Sequence, residues 1–229
     1  MGKTDPRFSQ SEGENIFNGN ELLIKGALEA GVSLYSSYPG SPVAETLDVI
    51  RANAALFNEH GIVAAIANNE ALAAARLNGS QALPLRALGI MKSVGLNVAS
   101  DVLEVSNLAG ANPGGGAVVI VGDDPHCSST QTPADSRYKS RALFMPVVSP
   151  GGWQEMKDWI DLAFRLSAAS ECYVTYLVTT AQADGGGVVR LKPNRWPEIN
   201  RNSRADLDTE GLDLGRRVMI PPSSSRGEV

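Results

Sequence analysis

Between positions 15 and about 180, apolar residues follow two alternating rhythms, one with strand spacing and one with helix spacing. Short apolar runs at 32–38 (VSLYSSY), 62–67 (IVAAIA), 85–91 (LRALGIM), 117–122 (AVVIVG) and 172–178 (CYVTYLV) read as strands. AVVIVG is unbroken and β-branched, the pattern of a parallel strand covered on both faces. The segments between carry helical periodicity. They predict one helix capped by Asn20 and ended by Gly31, and further helices over 43–60, 70–78, 94–108 and 153–169. Strands alternating with helices imply βαβ units, so the fold class is α/β with a doubly wound, mostly parallel, Rossmann-like sheet. Ligands of such sheets sit beyond the carboxyl ends of the strands, which singles out the loops at 38–42, 67–70, 91–95 and 123–137.

Residues 1–14 are polar and read as a lead-in, and 15–183 as the α/β domain. The stretch 184–229 opens on Gly185-Gly186-Gly187 and is rich in Arg, Asn, Pro and Asp. It reads as an irregular arm or linker that orders against a partner.

Composition narrows the function classes. The chain has 229 residues, 43% hydrophobic and 20% charged, which suits a soluble globular protein. A net charge of −5 offers no overall basic field for nucleic acid. No apolar run reaches the ~18–20 residues that span a bilayer, so no membrane association is expected. The first residues lack an apolar leader core, and there are only two cysteines, Cys127 and Cys172, which points to a reducing, cytoplasmic location. Two cysteines and two histidines (His60, His126) are too few for an iron–sulfur cluster or a typical zinc site within this chain, so no metal site is expected here.

Each of the four loops has a plain and a chemical reading. In YPGSP (38–42), Ser41 either caps a helix or offers its hydroxyl to an anion, and Gly40 lets backbone approach closely. In NNEALAAARLNG (68–79), Glu70 is either a first-turn acid favoured by the helix dipole or a carboxylate aimed across an interface, beside the small side chains of Ala71, Ala73, Ala74 and Ala75. In MKSVGLNVASD (91–101), Lys92 is either a solvated surface cation or a charge held at the strand end. The long polar loop DDPHCSSTQTPADSRY (123–138) is of a kind that is commonly functional. Asp123 and Asp124 read as turn-formers rather than metal ligands, and His126-Cys127 as unsuited to nucleophilic catalysis.

Together, in this order and spacing, the four loops resemble the N-terminal domain of the indolepyruvate:ferredoxin oxidoreductase α-subunit, within the wider family of thiamine diphosphate (TPP)-dependent 2-oxoacid:ferredoxin oxidoreductases. RRVMIPP (216–222) resembles the stretch that follows this domain. The resemblance implies the pyrimidine-binding half of a TPP enzyme. Glu70 matches the glutamate that hydrogen-bonds N1′ of the aminopyrimidine, with Tyr38, Pro39, Gly40 and Asn97 also on the cofactor. Ser41, Lys92 and Ser93 would face the 2-oxo acid. Ser128, Ser129, Asp135 and Arg137 match a loop that covers the site or lines the subunit boundary.

The sequence departs from the family at three places. Ser93 stands where histidine usually follows MK, HCSSTQTPADSR replaces a pattern closer to HSSQNEQDSR, and VTTAQ (178–182) replaces a TTTR-like strand end. The family's GDG…N diphosphate pattern and its cysteine-rich region are absent. The resemblance therefore implies a hetero-oligomer. A partner chain would carry the diphosphate site and its Mg2+, and iron–sulfur, ferredoxin or flavin chains would carry the electrons. The activity implied is oxidative decarboxylation of an indolepyruvate- or aryl-pyruvate-type 2-oxo acid. The alternatives are the pyrimidine half of a two-chain, non-oxidative decarboxylase, or a non-catalytic scaffold subunit.

Overall fold

The computed structural model describes residues 4–203, together with Met219 and Pro221. After a 3-10 turn at Pro6–Phe8, the chain forms β1 (Glu14–Asn18), α1 (Gly19–Glu29), β2 (Leu34–Ser37), α2 (Thr46–Ala52), α3 (Ala54–Glu59), β3 (Val63–Ile66), α4 (Glu70–Ser80) and β4 (Arg86–Lys92). It continues through α5 (Ser93–Val98), α6 (Ser100–Ala109), β5 (Gly116–Asp123), α7 (Ser136–Ala142), β6 (Val147–Val148), α8 (Trp153–Ser170), β7 (Val174–Thr179), α9 (Thr180–Asp184) and β8 (Gly186–Arg190).

Six strands form one parallel sheet in the order β3-β2-β4-β5-β7-β6. All eight residues of β5 are buried. Alternate side chains of this strand serve opposite layers, as a pleated strand requires. Val118 and Ile120 join Leu22, Leu28, Ile160 and Phe164 of α1 and α8. Ala117, Val119 and Val121 join Leu77, Leu96 and Leu103 of α4, α5 and α6. The α/β, doubly wound reading therefore holds.

The connection after β2 runs to β3 on one side, whereas β4 lies on the other side of β2. This reversal is the topological switch point where such sheets bind ligands. The loop after β2 and the start of α5 flank it.

Several elements differ from the sequence reading. Asn18, not Asn20, caps α1. Its Oδ1 accepts from the Glu21 N–H at 2.8 Å, and Glu21 Oε2 accepts from the Asn18 N–H at 2.9 Å, a reciprocal capping box. Asn20 is buried, and its Nδ2 donates to Pro42 O at 3.2 Å and Ala183 O at 3.4 Å. It thereby ties the loop after β2 to α9. The helix expected over 43–60 starts only at Thr46 and breaks at Asn53, whose Nδ2 donates to Val49 O at 2.9 Å. The helix expected over 94–108 bends at Ala99 between α5 and α6.

The reading of 184–229 as irregular fails for its first part. Gly186–Arg190 pairs antiparallel with Glu14–Asn18. The glycines there serve packing: a Cβ on Gly187 would lie 2.5 Å from Trp153 Cδ1. Beyond β8 the chain crosses the body as a strap. Arg195 N–H donates to Leu28 O at 3.0 Å, Arg201 N–H donates to Gly61 O at 2.9 Å, and Trp196 stacks on His60 at 3.4 Å. This segment orders against its own domain. Of RRVMIPP, all but Met219 and Pro221 lies outside the described residues. Among the described residues, no helix is long and apolar enough to cross a membrane.

Candidate active site at the switch point

Asn69 starts α4 by accepting the Leu72 N–H at 2.9 Å. That cap places Glu70 at the first helical position, 6% exposed. Its carboxylate rests on α5: a Cβ on Gly95 would stand 2.6 Å from Glu70 Cγ and Oε1. No side-chain hydrogen bond or ion pair engages the Glu70 carboxylate among the described residues. Buried carboxylates are ordinarily paired, and this one leaves its hydrogen-bonding capacity open to solvent or to a ligand. Apolar side chains lie exposed on the same two helices, Leu72 on α4 and Val94 and Val98 on α5, and on their neighbours, Ile66 on β3 and Val105 on α6, each 41–52% exposed.

Across the switch point, the loop after β2 meets β4. Tyr38 N–H donates to Ile90 O at 3.3 Å, which extends the β2–β4 pairing. Gly40 packs on the Lys92 stem, where a Cβ would lie 2.7 Å from Lys92 Cγ. The Lys92 ammonium has no ion-pair or hydrogen-bond partner among the described residues. Pro39 and Ser41 are exposed. Ser41 is not a helix cap, because α2 begins five residues later, and a cis Ser41-Pro42 bond follows it.

Helix α5 separates the remaining candidates. Gly95 faces Glu70. Ser93 and Asn97, four residues apart and so on one face, line a cavity of about 200 Å3 on another side, closed by residues 132–136 and Lys139.

The polar loop is organised by the two aspartates that precede it. Asp124 accepts from the N–H groups of Ser128 (3.0 Å), Ser129 (2.5 Å) and Thr130 (2.7 Å) and from the Ser128 and Thr130 hydroxyls. Burial pushes its carboxyl up, but these hydrogen bonds outweigh it and hold the group well below the usual carboxylate range. Burial pushes neighbouring Asp123 up despite the N–H and hydroxyl of Ser136 bonded to it. Asp135 caps α7 and pairs with Arg137 at 2.5 Å. Ser128, Ser129, Asp135 and Arg137 thus shape the loop and its helix. Asp123 and Asp124 act as loop-formers, as their sequence suggests. No cluster of three or more His, Cys, Asp or Glu side chains suited to a metal occurs among the described residues.

Two features go beyond the sequence, which offers Gly95 only as a place of close backbone approach. Gly95 carries its weight through a contact with a residue 25 positions away. The altered VTTAQ segment forms the start of α9, where Gln182 Oε1 accepts the Thr179 N–H at 2.9 Å and Nε2 donates to Pro150 O at 2.6 Å. The S/T-x-x-Q spacing of a capping box was the available signal.

No family model matches the chain. Among solved structures, the fold resembles 2-oxoglutarate:ferredoxin oxidoreductase from Magnetococcus marinus with 2-oxoglutarate, coenzyme A and succinyl-CoA bound, at a TM-score of 0.61 and 15% identity. That match covers 86% of this chain and 34% of that one. Indolepyruvate oxidoreductase subunit IorA of Archaeoglobus fulgidus is 36% identical over 193 residues, 83% of this chain and 31% of the relative. The IorA subunit of Thermococcus kodakarensis is 34% identical over 219 residues, 95% of this chain and 33% of the relative. The chain thus spans about a third of the length of the curated relatives it matches. Over the aligned residues, it is a homologue of the indolepyruvate oxidoreductase IorA subunits.

Proposed function

We propose that this chain is the pyrimidine-binding subunit of a cytoplasmic, TPP-dependent 2-oxoacid oxidoreductase of the indolepyruvate or aryl-pyruvate type. The observation that carries the reading is Glu70, a buried carboxylate without a donor among the described residues, seated on bare backbone at Gly95, on helices α4 and α5 that also expose the apolar side chains of Leu72, Val94 and Val98. Those features fit an aminopyrimidine: a polar ring nitrogen needs the carboxylate, and the ring face needs apolar walls. When bound, TPP supplies the electron sink for decarboxylating a 2-oxo acid. Glu70 would hydrogen-bond a ring nitrogen of the bound cofactor and hold a proton there.

Tyr38, Pro39 and Gly40 contribute the wall beside Lys92. Ser41, Lys92 and Ser93 serve the substrate side, with the unpaired Lys92 ammonium favouring an anionic 2-oxo acid. The diphosphate and Mg2+ fall to a partner chain, as do iron–sulfur, ferredoxin or flavin centres. The exposed loop carrying Ser128, Ser129 and Arg137 lies at the boundary with that partner. The domain runs over 15–183, extended by β8 and the strap.

The test is Glu70→Gln in the complex purified from its host. Turnover should fall by at least about 100-fold with subunit assembly intact, since the amide keeps the shape and loses the proton-holding group. Near-normal turnover would remove Glu70 from the chemistry. Finding no thiamine diphosphate in the active native complex would remove the cofactor assignment.

A further inference from the structure

The cavity between α5 and the segment leading into α7 carries a polar inventory that the protein itself leaves unused. Ser93 lines it, 6% exposed, and the Ser93 hydroxyl is buried with no hydrogen-bond partner among the described residues. Native proteins seldom leave such a group unpaired. One turn on, Asn97 stands at the solvent-exposed rim and makes no side-chain hydrogen bond among the described residues. Lys139, on the opposite wall, has no ion pair among them.

The acceptors nearby are already engaged. Asp135 is taken by Arg137 at 2.5 and 2.8 Å, and the Ser136 hydroxyl donates to Asp123. What remains open is a hydroxyl, an amide and an ammonium, with Val94, Pro133 and Ala134 supplying apolar contact. The complement of that set is a carboxylate on a small carbon skeleton.

We propose that this cavity is a carboxylate-binding subsite, with Ser93 and Asn97 as donors and Lys139 as countercharge. The proposal rests on the reading of the chain as part of a 2-oxoacid enzyme for the source of the carboxylate, the 2-oxo acid itself. It also moves Asn97 from the cofactor side, where the family resemblance put it, to the substrate side. The two sites lie on different sides of α5, roughly one helix diameter or about 10 Å apart.

The full chain, labelled with 15N, is titrated with phenylpyruvate, with phenylacetate, and with benzyl alcohol as the uncharged control. Both acids should shift the Asn97 side-chain amide, and the alcohol should not. Ser93→Val should weaken both acids by about tenfold, the worth of a hydrogen bond to a charged group. If Ser93→Val disturbs folding, Lys139→Met, at a partly exposed position, carries the same test. Glu70→Gln should leave acid binding intact, so failure of the cofactor reading and failure of the subsite appear in different measurements.

In the assembled complex, competition between phenylacetate and the 2-oxo acid, with Lys139→Met raising KM more than it lowers kcat, assigns the site to substrate. Phenylacetate altering kcat without competing assigns it to an effector carboxylate. Either supports the subsite. Absent shifts at Asn97, or shifts unchanged in both Ser93→Val and Lys139→Met, overturn it.

Discussion

A Cβ on Gly95 would stand 2.6 Å from both Cγ and Oε1 of Glu70, so the bare backbone of α5 seats the Glu70 carboxylate. Gly95→Ala separates the position of that carboxylate from the stability of the fold. Alanine gains up to about 1 kcal/mol as the better helix former. Overpacking costs about 1–3 kcal/mol. The net loss of at most about 3 kcal/mol lowers Tm by several degrees. Displacing a reacting group by about 1 Å costs on the order of 100-fold in turnover. Calorimetry of the chain and turnover of the complex should therefore diverge, and parallel small effects in both would detach Gly95 from the site.

Asp124 organises the polar loop through hydrogen bonds from three N–H groups and two hydroxyls. Asp124→Ala removes all five acceptor contacts at once. Limited proteolysis should cut that variant within 125–135 much faster than the parent. Asp124→Asn, which keeps one acceptor oxygen, should fall between. Equal cleavage of all three proteins would show that the loop holds its shape by other means.

Lys25 is fully buried on α1, with Nζ donating to Gln10 O at 2.7 Å and Asn194 Oδ1 at 2.8 Å and lying 3.7 Å from Glu29. Burial pushes its amine down from 10.5 to about 8; Glu29 opposes the shift and Lys157 adds to it. Between those values the unfolded chain binds the proton more fully than the fold does, so stability rises with pH through that interval. Below about 8 both states are protonated, and the penalty on the buried charge is fully present. Denaturant melts of the parent and Lys25→Met across pH 7–10 should show the parent gaining on the variant as pH rises. A constant difference would refute the assignment to Lys25.

Trp196 lies flat on His60, with an interplanar angle of 4°, and anchors the strap after β8. Trp196→Ala should open the strap to protease between 191 and 203. The parallel sheet stays intact, because its core contacts do not include Trp196. Loss of the whole domain's melting transition in this variant would mean that the strap holds the core together.

Apolar periodicity was enough to reveal the α/β class, since strands buried on both faces must read as unbroken β-branched runs and helices packed on a sheet must repeat every three to four residues. The strand 116–123 and the helix 153–170 are the clearest cases. The short β1 and β8 escaped notice because each shows the burial pattern of a half-exposed ribbon, with Ile16 and Val188 open to solvent. Helix breaks at Asn53 and Ala99 were equally invisible, as neither residue is a strong breaker.

The sequence by itself determined five of the six strands of the parallel sheet, the long helices between them and the loops at the carboxyl ends of those strands, because these follow from local periodicity and from the handedness of βαβ crossovers. Its motifs also nominated Glu70. Only the tertiary structure decided what each candidate touches. Gly95 lies under Glu70, the Lys92 stem lies over Gly40, and α5 separates Ser93 and Asn97 from the Glu70 side. The reason is physical: these contacts join residues distant along the chain, through backbone that approaches only where a side chain is missing. No local pattern encodes which distant residue will fill that space.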